Sequence, residues 1–395
     1  MKILFLTSRF PYPLEKGDKL RYYHFIKGLS KNHEVHLAAI SKEAVKNNHF
    51  EQVNKLCKSV KVFRINSLSI GLNLFKSFPG NFPLQSAFFY NSIIRNKILN
   101  YGNEIAPDVI ICMLTRMSRY AEAFTGVPKL LDYQDAFSKG VERRLAHEGF
   151  FFRTVLNHEA QRQAEHEKDV FDLFDEKIII SAQDRALIQH PMNSSIHIIP
   201  NGVDYEYFSP HPAEKKYDLV FTGNMNYPSN IESVVYIVKE ILPHVRKKYP
   251  GIKLLIAGAN PAARVRALQS ETVHISGWVD DIRESYLSAK ILVAPMLINI
   301  GQQNKILEAM ALQLPCITSP LANNAIGATD GENIFIASSP HQYAEKIITL
   351  LEDPVLARSI AEKGNEFVKR NYTWEKSIGE LENILVRLVN GNQKP

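Results

Sequence analysis

The chain has 395 residues, 45% of them hydrophobic and 22% charged, with a net charge of +6. That length suffices for two ordinary domains, and the composition fits a folded globular protein rather than a disordered or fibrous one. No run of about 18 apolar residues is present to cross a bilayer, and Ile3–Leu6 is too short for the core of an export signal. Cys57, Cys112 and Cys316 are dispersed, with no CxxC or Cys/His spacing, which points to a reducing compartment and away from a zinc site.

The charge is uneven. Residues 1–100 hold 16 Lys and Arg against 5 Asp and Glu, residues 101–205 hold 11 against 16, and residues 206–395 hold 20 against 20. The basic first hundred residues also carry Phe75, Phe78, Phe82, Phe88, Phe89 and Tyr90. Such a region is a candidate face for an anionic membrane surface; a solvated basic face over buried aromatics is the alternative. Nucleic acid is not expected, because no RNP, zinc-finger or helix-turn-helix signature occurs.

Read in order, strands are predicted at Lys2–Thr7, His33–Ile40 and Val60–Ile65, with a helix over Lys19–Ser30 and another from a Ser41 cap through Leu56. Residues 66–92 read as irregular or loosely helical. A helix follows at Asn91–Tyr101, then strands at Val109–Leu114 and Lys129–Asp132. Val141–Phe174 reads as a long helical region whose His147, His158 and His166 are expected on the surface. A strand at Lys177–Ser181, a short helix and a strand at Ile196–Ile199 lead to the polar, proline-bearing stretch after Pro200.

A second alternation begins there. It has strands at Asp218–Thr222, Lys253–Ala257, Val273–Ser276, Ala289–Ala294, Cys316–Thr318 and Ile334–Ile336. Helices are expected over Ile231–Lys248, after Asp280-Asp281, at Asn304–Leu312, and in three closing segments to Asn390. Two strand–helix alternations predict two doubly wound parallel sheets. Ligands of such sheets bind beyond the strands' carboxyl ends, here the loops 8–17, 115–119, 132–140, 223–228, 258–261 and 295–304.

The stretch 295–315 carries the most chemistry. An apolar strand feeds a loop broken by Gly301, and the loop feeds a helix N-terminus, where free N–H groups favour an anion. Lys305 adds a positive charge, and Glu308, one turn on, can accept bonds from hydroxyls. A phosphate beside a diol describes the diphosphate and ribose of a nucleotide. A surface helix with an ordinary Lys/Glu pair is the alternative. Gly17 before Asp18-Lys19 offers a second backbone approach for a diphosphate or sugar, or a plain helix start. Asp132 and Asp135 follow a strand end, where one could orient a sugar hydroxyl or cap the next helix. Arg116 and Arg119 follow another and point to the same region. No G-x-G-x-x-G or Walker loop follows a strand, which disfavours NAD and P-loop enzymes, and Asp280-Asp281 reads as a helix cap.

Several stretches together resemble one family. Asn201-Gly-Val-Asp204 with Phe208 and Pro210, Gly277-Trp-Val-Asp-Asp281 with Tyr286, Asn304-Lys-Ile-Leu-Glu-Ala-Met-Ala311 with Pro315, and Tyr372-Thr-Trp374-Glu resemble the retaining GT-B glycosyltransferases of family 4, the "glycosyl transferases group 1" type. Pro11-Tyr-Pro13, Lys16-Gly-Asp18 and Arg21 look like a subgroup tied to bacterial exopolysaccharide and surface-glycan assembly. The resemblance runs from about residue 2 to 385.

It implies an α/β chain of two Rossmann-like, doubly wound parallel-sheet domains facing a central cleft. Residues 1–205 would bind the acceptor, with helix 373–390 packing back on them, and residues 206–372 the nucleotide sugar. The function implied is metal-independent transfer, with retention, from a UDP- or GDP-sugar to a glycan or lipid-linked glycan, in the cytoplasm or on the inner face of the plasma membrane, with no cofactor. Gly17, Gly223, Asn224, Gly301, Gln302, Gln303, Asn304, Lys305, Ile306 and Glu308 would hold the donor, Glu308 at the ribose and Lys305 at the diphosphate. Arg116, Asp135 and Lys305 would serve catalysis. The family commonly has a second glutamate eight positions before Glu308; here that position is Ile300, so sugar recognition shifts to Gln302, Gln303 or the first domain. A non-catalytic scaffold of glycan assembly and a nucleotide-sugar epimerase of the same fold are the rival readings.

Overall fold

The computed structural model describes residues 1–14, 16–78, 80–144, 150–298 and 301–392. The chain divides into two compact units, Met1–Asn201 joined by the segment from Trp374 onward, and Gly202–Thr373.

The first unit is built on seven parallel strands: β1 Lys2–Thr7, β2 Glu34–Ser41, β3 Ser59–Arg64, β4 Val109–Met113, β5 Lys129–Asp132, β6 Glu176–Ile179 and β7 His197–Ile198. Their order is β3-β2-β1-β4-β5-β6-β7, with Phe5 opposite Leu37 on one side and Ile111 on the other. Strands covered on both faces need continuous apolar runs, and β1 is one. Leu4 and Leu6 pack on one face with Ile98 and Tyr101, Ile3 and Phe5 on the other with Phe25, Leu381 and Leu385. The last two residues belong to the C-terminal helix Trp374–Asn392, which lies on the first helix, Gly17–Leu29. Gly28 permits this approach, since a Cβ there would overlap Ile378. His24 stacks flat on Trp374 with ring centroids 4.3 Å apart.

The second unit has six parallel strands: β8 Tyr217–Thr222, β9 Leu254–Ala257, β10 Val273–Gly277, β11 Ala289–Ala294, β12 Cys316–Thr318 and β13 Phe335–Ile336, in the order β10-β9-β8-β11-β12-β13. The strand order reverses beside β8, between β9 and β11, which makes the carboxyl end of β8 the switch point where ligands of such sheets bind.

Several local expectations are corrected. Ser41 does not cap a helix: it pairs with Arg64 as the last residue of β2, and the next helix starts at Asn47. The sheet ladder claims the residue. Residues 66–92 are mostly helical, at Ser67–Ser77, capped by the Asn66 side chain on the Ser69 N–H, and at Leu84–Phe89 after Pro83. The helical region expected from Val141 begins earlier, at Phe137–Arg144, and continues as Phe150–Asp169 and a short 3₁₀ turn; His147 lies outside the described residues. His158 is exposed, but His166 is partly buried, its Nε2 3.3 Å from the Thr115 carbonyl, and burial lowers its pKa. The helix expected over Ile231–Lys248 is interrupted by a π-helical turn at Ile237–Ile241. Pro243, just beyond, has no N–H to donate to the preceding turn.

Candidate active site

In the second unit, Gly223 follows β8 with φ 148° and Gly258 follows β9 with φ 135°. A Cβ on Gly258 would overlap the Gly223 carbonyl, and one on Gly223 would stand 2.7 Å from the Asn230 Nδ2 and 3.2 Å from the Lys305 Nζ. Two glycines thus let two backbone segments, the Asn230 amide and the Lys305 side chain converge at the switch point.

Lys305 is the second residue of helix Asn304–Ala311 and only 9% exposed. Its Nζ donates to the Asn230 Oδ1 at 2.6 Å and lies 4.1 Å from the Phe221 ring centroid. The Asn230 amide is fixed in turn by donating to the Asn224 carbonyl at 2.9 Å. Burial pulls the Lys305 pKa down to about 7, with Glu308 opposing the shift. Among the described residues the ammonium's hydrogen-bond partners are neutral, the Asn230 amide and, at 4.0 Å, the Met296 Sδ, and an arriving anion would hold its charge. Glu308 lies one turn on and does not pair with Lys305. Its Oε2 accepts from the Tyr286 hydroxyl at 2.7 Å, which is 2.7 Å from the Thr222 Oγ1. Burial raises the Glu308 pKa, and Tyr286 and Lys305 oppose this. Tyr286 is delivered by helix Ile282–Leu287, which Asp281 caps by accepting from the Arg283 N–H, as the sequence suggested.

The helix carrying Lys305 is preceded by Gly301, with φ 65°, Gln302 and Gln303, and begins at Asn304. Among the described residues, the buried Asn304 Oδ1 has no hydrogen-bond partner and no side chain caps this helix. Ile306 turns away: its side chain lies in the hydrophobic core and its N–H bonds the Gln303 carbonyl. It can serve the site only as part of the scaffold. Ile300 lies outside the described residues. Among the described residues, no three His, Cys, Asp or Glu side chains are grouped to hold a metal ion.

The first unit brings its own residues together at strand carboxyl ends. Arg116 is buried, its Nε donating to the Ser8 Oγ at 2.7 Å and its Nη2 to the Asp18 Oδ2 at 3.1 Å, with Phe89 under the guanidinium at 4.6 Å. Arg9 also pairs with Asp18. Gly17 starts the helix beside these groups, with open space where a Cβ would project. Arg119 parts from Arg116; it is exposed and stacks on Phe82.

Asp132 is not available to a ligand. It is fully buried and takes the Arg21 Nε at 2.5 Å and the Gln134 N–H at 2.9 Å, while Arg21 also donates to the Ile199 carbonyl and the Asn201 Oδ1. Asp135 is the better placed of the pair for chemistry. Burial, with Asp184 and Glu167 nearby, pushes its pKa up to about 8. Leu114 and Gln134, at the ends of β4 and β5, both have positive φ, 73° and 62°, and residues held so commonly mark functional loops.

Sequence reasoning did not find Asn230, Thr222 or Gly258. Their only signal was a place in, or next to, the loops after β8 and β9.

Residues 216–353 match the family model described as glycosyl transferases group 1. A 44.6 kDa protein of the cps region of Klebsiella pneumoniae is 22% identical over 396 residues, covering 96% of this chain and 98% of that protein. Sucrose-phosphate synthase from Thermosynechococcus elongatus superposes with a TM-score of 0.73 at 16% identity, over 99% of this chain and 100% of that one. HepE from Anabaena, solved in complex with UDP and glucose, gives 0.71 at 15% identity, over 98% and 99%. The chain thus has the GT-B fold of two parallel-sheet Rossmann-like units, and within its second unit residues 216–353 match the group 1 glycosyltransferase family.

Proposed function

We propose that this glycosyltransferase is a retaining, metal-independent enzyme that moves a sugar from a UDP- or GDP-linked donor to a glycan or lipid-linked glycan in bacterial surface-polysaccharide synthesis. The observation that carries the reading is the Lys305 ammonium, buried at a helix N-terminus beside neutral partners and one turn from Glu308. Charge growing on the leaving diphosphate meets that ammonium and the first N–H groups of the helix, a preorganised field that needs no metal. Glu308, held by Tyr286, accepts from the ribose hydroxyls. The backbone around Gly223 and Asn224 and the loop Gly301–Asn304 line the phosphates and sugar. Arg116 and Asp135 act on the acceptor side. The Klebsiella relative of the cps region supports the polysaccharide setting, and the UDP in the HepE structure supports a uridine donor as the first to test. The excess of Lys and Arg in residues 1–100 supports a place at an anionic membrane surface, the inner face of the plasma membrane.

The test is a thermal-shift panel of UDP-, GDP- and other nucleotide sugars, followed by a transfer assay that reports the product anomer. A specific donor should raise the melting temperature by mass action, and the product should keep the donor's configuration. No stabilisation by any donor, or an inverted product, would overturn the proposal.

A further inference from the structure

Helix Ser67–Ser77 carries two apolar stripes. Ile70 and Leu74 turn inward to the first unit's core. Leu68, Leu72 and Phe75 recur at helical spacing on the other side and project into solvent, Leu68 and Phe75 each 81% exposed. Phe78, just past the helix, and Ile93, in the first turn of helix Ser92–Ile105, are exposed as well. The two helices are tied side by side: the Asn91 Nδ2 donates to the Ser69 Oγ at 2.7 Å and the Asn73 Nδ2 to the Tyr90 carbonyl. Soluble surfaces scatter single apolar side chains, but five large ones on two linked segments form a patch.

Along the sequence, the charges flanking this patch are one-sided. Between Glu51 and Glu104 the sequence has no acidic residue and seven Lys and Arg. Lys76 stands one turn beyond Leu72, and Lys97 one turn beyond Ile93, both exposed. A partner for this face must accept apolar side chains and carry negative charge beside them. A protein partner would need acidic rims around an apolar groove; a bilayer containing anionic lipids offers both as bulk properties.

We propose that helix Ser67–Ser77 is the membrane-docking element of the protein: Leu68, Leu72, Phe75, Phe78 and Ile93 enter the interface of an anionic bilayer while Lys76 and Lys97 stay at the headgroups. The inference deepens the membrane-side placement proposed above and rests on it. The test uses no donor or acceptor, so its failure and the failure of the glycosyl-transfer reading are separate results.

Co-sedimentation is measured with vesicles of phosphatidylcholine alone and of phosphatidylcholine with phosphatidylglycerol, at low and high salt. The full chain should pellet with the phosphatidylglycerol vesicles, and salt should weaken this binding. The variant Leu68→Ser/Leu72→Ser/Phe75→Ser should lose on the order of a hundredfold in partitioning, with an unchanged melting temperature because these side chains support no core. The Lys76→Glu/Lys97→Glu variant should lose binding to the anionic vesicles. A cysteine at Phe75 carrying an environment-sensitive dye should shift its emission to the blue on binding. Wild-type protein that stays in the supernatant overturns the proposal, as does equal binding by the apolar variant or equal affinity for uncharged vesicles. A concentration-dependent dimer in sedimentation velocity that the apolar variant abolishes would reassign the face to self-association.

Discussion

Replacing Lys305 by methionine separates a structural role from a chemical one. The change keeps the length of the side chain and removes its charge. In the folded protein the Lys305 pKa is drawn from 10.5 to about 7 by burial. At about 1.4 kcal/mol per pH unit, holding the ammonium there costs the fold roughly 5 kcal/mol below pH 7. The sign follows from the direction of the shift. Between about pH 7 and 10.5 the unfolded chain binds the proton and the folded chain does not, so wild-type stability rises across that window. Lys305→Met removes the penalty and leaves the Asn230 Oδ1 without its donor, a loss of about 1–3 kcal/mol. The donor-free variant should therefore be as stable as wild type or more so, by most at pH 6, with the gap closing toward pH 10. Turnover should move the other way. A preorganised donor at a developing anion is typically worth about 3–4 kcal/mol, so kcat/KM should fall by roughly 10²–10³. Urea denaturation at several pH values and a donor-consumption assay measure the two effects. A variant markedly less stable at pH 6 would make Lys305 a structural residue, and a folded variant with wild-type kcat/KM would remove it from the chemistry.

Further outcomes follow from the other contacts. Glu308→Gln keeps an acceptor for Tyr286 but loses the charge, so the melting temperature should hold while the affinity for UDP, measured by calorimetry, drops roughly tenfold; unchanged affinity would take Glu308 away from the ribose. Gly258→Ala puts a Cβ against the Gly223 carbonyl at a positive φ, and denaturation should show a loss of at least about 2 kcal/mol. Arg21→Ala strands the buried Asp132 carboxylate, and equilibrium unfolding should register about 3–5 kcal/mol of destabilisation; a loss below about 1 kcal/mol would mean that water reaches the site.

What the sequence made legible was what local periodicity carries. The apolar runs of β1, β4, β8 and β11 are buried on both faces, so their hydrophobicity is continuous and their positions stand out. Lys305 and Glu308 share a helix, and their spacing alone put them a turn apart. Their partners are another matter. Asn230 is 75 residues from Lys305 and Tyr286 is 22 from Glu308, and nothing local specifies that the lysine's partner is a neutral amide rather than the nearby carboxylate. Asp132 looked like a ligand-binding carboxylate because it ends a strand; only the tertiary fold shows that Arg21, 111 residues away, has taken it. Ile306 shows the reverse error, where membership in a recognised motif outweighed an apolar side chain that belongs in the core. Residues 66–92 misled because proline, glycine and aromatics suggest irregularity, while Asn66 and Pro83 in fact start helices.

The helix Trp374–Asn392 packs on Gly17–Leu29, although the whole second unit lies between them in the chain. During synthesis the ribosome delivers residues 202–373 complete and contiguous before it delivers the last layer of the unit that began first. The second unit can thus close its sheet on contacts that are all in hand. The first must wait with the Ile26 and Leu29 side of its opening helix uncovered until Leu381 and Leu385 emerge. A stop codon near Trp374 would leave that surface permanently open. Such a truncated chain should keep a folded second unit and aggregate through the first, a quality-control liability located far in sequence from the Lys305 site.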